Sequence, residues 1–269
     1  LVKYGILVIS HGSRSEDWVR LVDEAVEAVH VPEDIPVYSS FLEIVEGRLI
    51  QDGITHLEAL GVTDIITVPL FVSSGSTHID EISYALGVKD KPLLPTDMRP
   101  FAVKARIHFT SPIDDDPIIA DVLYSKIKAL SSDPQKEILL LVGHGSIEEG
   151  FHLQWQRGLE KLAMRLQALG GFDEADVAML LPDQIPHKMN RWLRSKPQHT
   201  VIVAPLFLSE GYFTGEVIPE RLNGYEYRYN GKALLPHSGI SRWIERQAEP
   251  FIQGRAAGDS VRFDSEANR

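Results

Sequence analysis

The chain has no cysteine among its 269 residues. That excludes disulfides, thiolate zinc sites and a Cys-ligated iron–sulfur cluster within it. No apolar run approaches the roughly 18–20 residues that cross a bilayer. There is no dense Lys/Arg run either, and the formal net charge is −11 with histidine neutral. A general nucleic-acid binder needs a basic face, so no nucleic-acid partner and no membrane are expected. Lack of cysteine fits the reducing cytoplasm, which is the expected location. The opening "LVKYGILVISHGS" is too short and too soon interrupted for a secretory signal and reads better as a first strand. It lacks an initiator Met, so a leader removed before Leu1 is left open.

What is present is a globular composition: 43% hydrophobic and 24% charged residues. "YGILVIS" (4–10) is the continuous apolar run of a strand buried on both faces of a parallel sheet. Residues 15–30 place Trp18, Leu21, Val22, Ala25, Val26 and Val29 at helical spacing. Ser15 is positioned to cap that helix, with Glu16 and Asp17 at its positive end. Further strands are expected at 35–43, 63–71 and 102–112, and further helices at 47–61 and from 78 to 86.

The pattern then restarts. "ILLLVGHGS" (138–146) echoes "GILVISHGS" (5–13) at an offset of 133, and "TVIVAPLFLSEG" (200–211) echoes "DIITVPLFVSSG" (64–75) at an offset of 136. Two ordered matches at nearly constant offset indicate an internal duplication. The fold class is α/β, with two similar doubly wound parallel-sheet domains. The expected division is 1–113, a helix and connector at 114–137, a second domain at 138–253, and a polar, frayed tail at 254–269.

Parallel α/β sheets bind ligands beyond the carboxyl ends of their strands. His11, Glu43 and His78 all fall there in the first half. Two imidazoles and a carboxylate suit a divalent metal; singly, each also reads as an ordinary loop or surface residue. "HGSR" has a rival reading as an anion cradle before a helix, although it lacks the full glycine spacing of a dinucleotide fingerprint and the Lys of a P-loop. In the second half His144 matches His11, the offset carries His78 onto Thr214, and Asp183 is the expected counterpart of Glu43. The second site is therefore expected to be degenerate, with His144 in a loop role or in a composite site across the cleft.

"ILVISHGSR", "SFLE" and "VPLFVSSGSTHIDEI" together resemble the class II chelatases of the CbiX/SirB type, in the long two-domain form. The resemblance is strongest over 4–86 and recurs more weakly over 138–222. It implies insertion of a divalent metal, Co²⁺, Fe²⁺ or Ni²⁺, into sirohydrochlorin, in cobalamin or siroheme biosynthesis. His11, Glu43 and His78 are then the catalytic and metal-binding residues. The metal is a substrate, and no prosthetic group is expected. Ser13, Arg14, Ser73, Ser74, Gly75 and Ser76 are candidates for the substrate's carboxylates, with Arg48, Lys104 and Arg106 as weaker ones. A monomer with two pseudo-symmetric domains is expected. The alternatives are a non-catalytic metal or tetrapyrrole carrier and a phosphate-handling enzyme built on the HGSR loop.

Overall fold

The computed structural model describes residues 1–266, with side chains through Gly254. The first half supplies β1 (Tyr4–Ser10), α1 (Glu16–Glu27), β2 (Val37–Phe41), α2 (Ile50–Ala59), β3 (Asp64–Pro69), α3 (Thr77–Ala85), β4 (Arg106–Phe109) and α4 (Pro117–Ile127). The second half supplies β5 (Glu137–Gly145), α5 (Glu149–Gly170), β6 (Glu174–Leu181), α6 (Ile185–Ser195), β7 (Thr200–Pro205), the short α7 (Ile218–Arg221) and α8 (Ser238–Glu266). A π turn at Phe213–Val217 precedes α7. The strands form two parallel sheets, β2-β1-β3-β4 and β6-β5-β7.

Alternation along each strand divides the core. Ile6, Val8, Ile66 and Val68 point to one face of the first sheet, while Leu7, Ile9 and Ile65 point to the other and meet Ile50, Ile54 and Leu57 of α2 and Ile82 of α3. In the second sheet, Leu139, Leu141 and Met179 meet Trp155, Leu159 and Leu162 of α5; Ile138, Leu140 and Ala178 meet α6. Ser15 caps α1 as its sequence implies, its hydroxyl accepting from the Trp18 amide at 3.3 Å.

The expected fourth strand is shortened to Arg106–Phe109. The preceding backbone has other partners: Gln51 Oε1 accepts from Ala102 N–H, and Glu58 Oε1 accepts from Lys104 and Ala105 N–H. In the second half the corresponding strand shrinks to a single bridge between Ile202 and Arg228.

The closing helices are exchanged. α4 packs on α5 and β7 of the second sheet, whereas α8 packs on α1 and β3 of the first. The Ser241 hydroxyl of α8 donates to Ala25 O at 2.6 Å, and Glu245 accepts from the His30 amide at 2.8 Å. Residues of both sheets consequently share one continuous core. The boundaries drawn from the repeat divide the sequence, but the packing crosses them. Where a frayed tail was expected from 254, the α8 backbone continues to Glu266, propagating from buried Ile240, Trp243, Ile244 and Ala248; residues 267–269 lie outside the described chain.

Candidate active site

His11 directly follows β1, and the chain after β2 continues beside it: Leu42 N–H donates to Ser10 O, and Glu43 N–H donates to His11 O. Gly12 makes that approach possible. Its φ is +95°, and a Cβ there would sit 2.2 Å from Glu43 O. The result places His11 Nε2 3.3 Å from Glu43 Oε1. α3 brings His78 in from the other side, with its ring centroid 4.9 Å from that of His11 at an interplanar angle of 61°.

Hydrogen bonding fixes both tautomers. His11 Nδ1 lies 2.9 Å from Gly12 O, and a carbonyl only accepts, so the proton is on Nδ1. His78 Nδ1 lies 2.9 Å from Glu81 Oε1, and Glu81 Oε2 accepts from the Thr96 hydroxyl at 2.9 Å. In the neutral rings both Nε2 lone pairs are left for a cation or a proton. Glu81 is thus the carboxylate that orients the His78 imidazole. The sequence reading gave it no role, although its helical i+3 spacing from His78 was a usable signal. Among the described residues no three His, Cys, Asp or Glu side chains stand together as a preformed cation site, His11, Glu43 and His78 included.

The rings open onto a cavity of about 720 Å³ between the halves, also lined by Trp18, Ser76, His144, Trp155, Leu181 and Phe213. That size falls within the range of small-molecule sites. Ser13, Gly75 and Ser76 line it as well. Other candidates are engaged elsewhere. The loop amides are already used: Ser74 N–H donates to Asp114, Gly75 N–H to Ser73 Oγ, and Ser76 N–H to Ser73 O. The Ser74 hydroxyl also donates to Asp114. Gly75 serves close packing between the halves, since a Cβ there would lie 2.5 Å from Phe151 O. Arg14 lines a separate surface groove with Glu16 and Asp23. Arg48 is held by Asp23 at 2.7 Å. Lys104 and Arg106 lie beside Asp64, at the amino end of the strands and away from the histidines.

The second half corrects two expectations. Ser10 pairs with Phe41, and its counterpart Gly143 pairs with Met179, so strand register places Leu181 where Glu43 stands. A Cβ on Gly145 would lie 2.5 Å from Leu181 O, as one on Gly12 would meet Glu43 O. Asp183 is turned away, accepting from Ile185 N–H and pairing with Arg221 at 3.4 Å. Likewise the ring opposite His144 is Phe213 rather than the side chain of Thr214. The Thr214 hydroxyl is buried and occupied with Gly211. His144 keeps the same tautomer lock, with Nδ1 3.0 Å from Gly145 O.

Two parallel sheets related by duplication, with imidazoles from β1 and α3 at their carboxyl edge and a cleft between the halves, define a chelatase-like α/β protein. The CbiX family model matches residues 5–130 and again 138–249, and the chain belongs to that family. Among curated relatives, sirohydrochlorin cobaltochelatase of Methanothermobacter thermautotrophicus is 26% identical over 133 residues, covering 47% of this chain and 92% of the relative. The enzyme of the same name from Sulfolobus acidocaldarius is 31% identical over 130 residues, covering 47% of this chain and 93% of the relative. Among solved structures, SirB from Bacillus subtilis with Fe³⁺ superposes with a TM-score of 0.69 at 19% identity, covering 92% of this chain and 95% of that one.

Proposed function

We propose that this protein is a sirohydrochlorin chelatase that inserts a divalent cation, Co²⁺ or Fe²⁺ with Ni²⁺ as the nearest variant, into the free-base macrocycle. The observation that carries the reading is the His11–His78 pair: two imidazoles 4.9 Å apart, each with Nδ1 committed to a protein acceptor, facing one cavity beside Glu43. Metallation must strip water from the cation, bring it to the ring, and remove two pyrrole protons. The two Nε2 lone pairs supply nitrogen ligands of the kind that suit these metals, and either can take up a pyrrole proton. Glu43 offsets the cation's charge. An open ligand set suits a cation that must be handed over. The relatives named sirohydrochlorin cobaltochelatase support the substrate. The SirB structure with Fe³⁺ supports the fold alone.

The phosphate reading is weakened by the start of α1. Ser13 Oγ accepts from Ser15 N–H at 3.0 Å, Ser15 caps the helix, and Glu16 and Asp17 occupy the first turn, which disfavours an anion. Among the described residues no helix is long and apolar enough to cross a membrane. A cytoplasmic monomer serving cobalamin or siroheme synthesis is part of the proposal.

The test is anaerobic incubation of the full chain with sirohydrochlorin and each of Co²⁺, Fe²⁺ and Ni²⁺, following the tetrapyrrole absorption. Multiple turnovers are expected, with His11→Ala reducing the rate by about 10²- to 10⁴-fold. Binding of one equivalent without turnover would indicate a carrier instead.

A further inference from the structure

Both halves line one cavity, the first with His11 and His78 among Trp18, Leu70 and Phe71, the second with a single imidazole, His144, among apolar side chains. At the three positions where the first half carries Arg14, Glu43 and His78, the second carries Ile147, Leu181 and Phe213. The first correspondence follows from the repeat offset, the second from strand register and the third from ring position. Of the two site imidazoles, only His11 has a histidine counterpart, His144.

These apolar side chains are not withdrawn into a core. Ile147 is 67% exposed, Tyr212 65%, Leu181 42% and Phe213 36%, and all four line the cavity that His11 and His78 line from the other half. Single exposed apolar residues are ordinary, but a contiguous group facing a cavity marks a binding surface. Its centre is flat and fixed, because Phe213 stacks on Phe207 with centroids 5.5 Å apart and planes within 18°. His144 stands perpendicular to Phe213 at 5.2 Å.

We infer that Ile147, Leu181, Tyr212 and Phe213 form a shelf that binds one face of the tetrapyrrole ring, leaving the other face toward His11 and His78. This rests on the chelatase reading. A conjugated macrocycle presents two broad apolar faces and a charged rim. Against a protein of net charge −11, rim carboxylates gain little from the overall field, and among the described residues no Lys or Arg lines this cavity. Removing a ring face from water against aliphatic and aromatic side chains is then the main source of affinity. The same contact directs the chemistry. A face covered by Leu181 and Phe213 is closed to a hydrated cation, so the metal enters from the imidazole side. The substitutions that deprive the second half of ligands are the ones that make it a platform.

The experiment titrates metal-free sirohydrochlorin into the full chain, read by quenching of tryptophan fluorescence, because Trp18 and Trp155 line the cavity. Tyr212→Ala/Phe213→Ala is expected to weaken binding by about tenfold or more. The loss appears in KM rather than kcat, while the affinity for Co²⁺ alone is unchanged. Ile147→Ser, at the most exposed of the four positions, gives a second variant whose folding is not at risk and is expected to weaken binding about threefold or more. Raising the salt concentration is expected to weaken wild-type binding little, as an apolar contact requires. Wild-type affinity in both folded variants overturns the shelf, as does an equal loss of Co²⁺ affinity. If the wild-type chain binds no sirohydrochlorin at all, the chelatase reading itself fails, and the shelf falls with it.

Discussion

His144 stands 5.2 Å from Phe213, ring edge to ring face, in the place where His11 stands 4.9 Å from His78. The neighbouring rings correspond too: Phe71 lies 6.3 Å from His78 and Phe207 lies 5.5 Å from Phe213. Each strand edge thus carries a pair of rings, but the second ring is an imidazole in the first half only.

His78→Ala is expected to reduce metallation by about 10²-fold or more, whereas His144→Ala costs much less. His78 has His11 as a nitrogen partner; His144 has Phe213 and Leu181, which ligate nothing. Steady-state turnover of both folded variants checks this. Equal losses would replace the one-sided site with a composite one.

Glu81→Gln is expected to lower turnover or Co²⁺ affinity by about 10- to 100-fold. Glu81 is a positioning residue. It holds His78 Nδ1–H and is itself held by Thr96. Loss of the carboxylate lets the imidazole change tautomer and turn from the cavity. Glu81→Asp, which keeps the charge but shortens the reach, is expected to recover part of the loss. Equal activity of wild type and Glu81→Gln over a pH series would remove Glu81 from this role.

Trp243→Ala is expected to destabilise the chain by about 3–5 kcal/mol. The indole is fully buried on α8, in the core shared by both sheets. Because α8 covers the first sheet, the loss should shift a single cooperative transition rather than the second half alone. Calorimetry of the variant reads this directly; two separated transitions would show that the halves unfold independently.

Acid should destabilise the fold through Asp80. Burial on its own pushes this carboxyl up, but hydrogen bonds from Lys89 and from the Leu93 and Leu94 amides outweigh it and hold it below the ordinary value. A group with a depressed folded pKa contributes stability above its unfolded pKa, about 3.9, and loses it as pH falls through the folded value. Denaturant midpoints are therefore expected to fall from about pH 4 downward. Asp80→Asn should lower stability near neutrality and flatten that acid limb. An unchanged acid limb in Asp80→Asn would assign it to other carboxylates, of which Asp64 and Glu137 are held low in the same way.

Local rules sufficed for much of the chain. The apolar run at 4–10 read as a strand buried on both faces, Ser15 with the spacing from Trp18 to Val29 defined α1, and the repeated "HGS" and "PLF" phrases pointed to two sheets. Sequence also brought His11, Glu43 and His78 to one sheet edge, because side chains that follow parallel strands must emerge there. What it left undecided were relations between elements. A strand's pattern fixes its faces but not its register, so Asp183 stood as the expected counterpart of Glu43 until β5 paired Gly145 with Leu181. The loop from Phe207 to Phe213 is one residue shorter than that from Phe71 to His78, which put Phe213 where a constant offset had put Thr214. An amphipathic helix carries an apolar stripe but no address for it, so only packing could send α8 to the first sheet and α4 to the second.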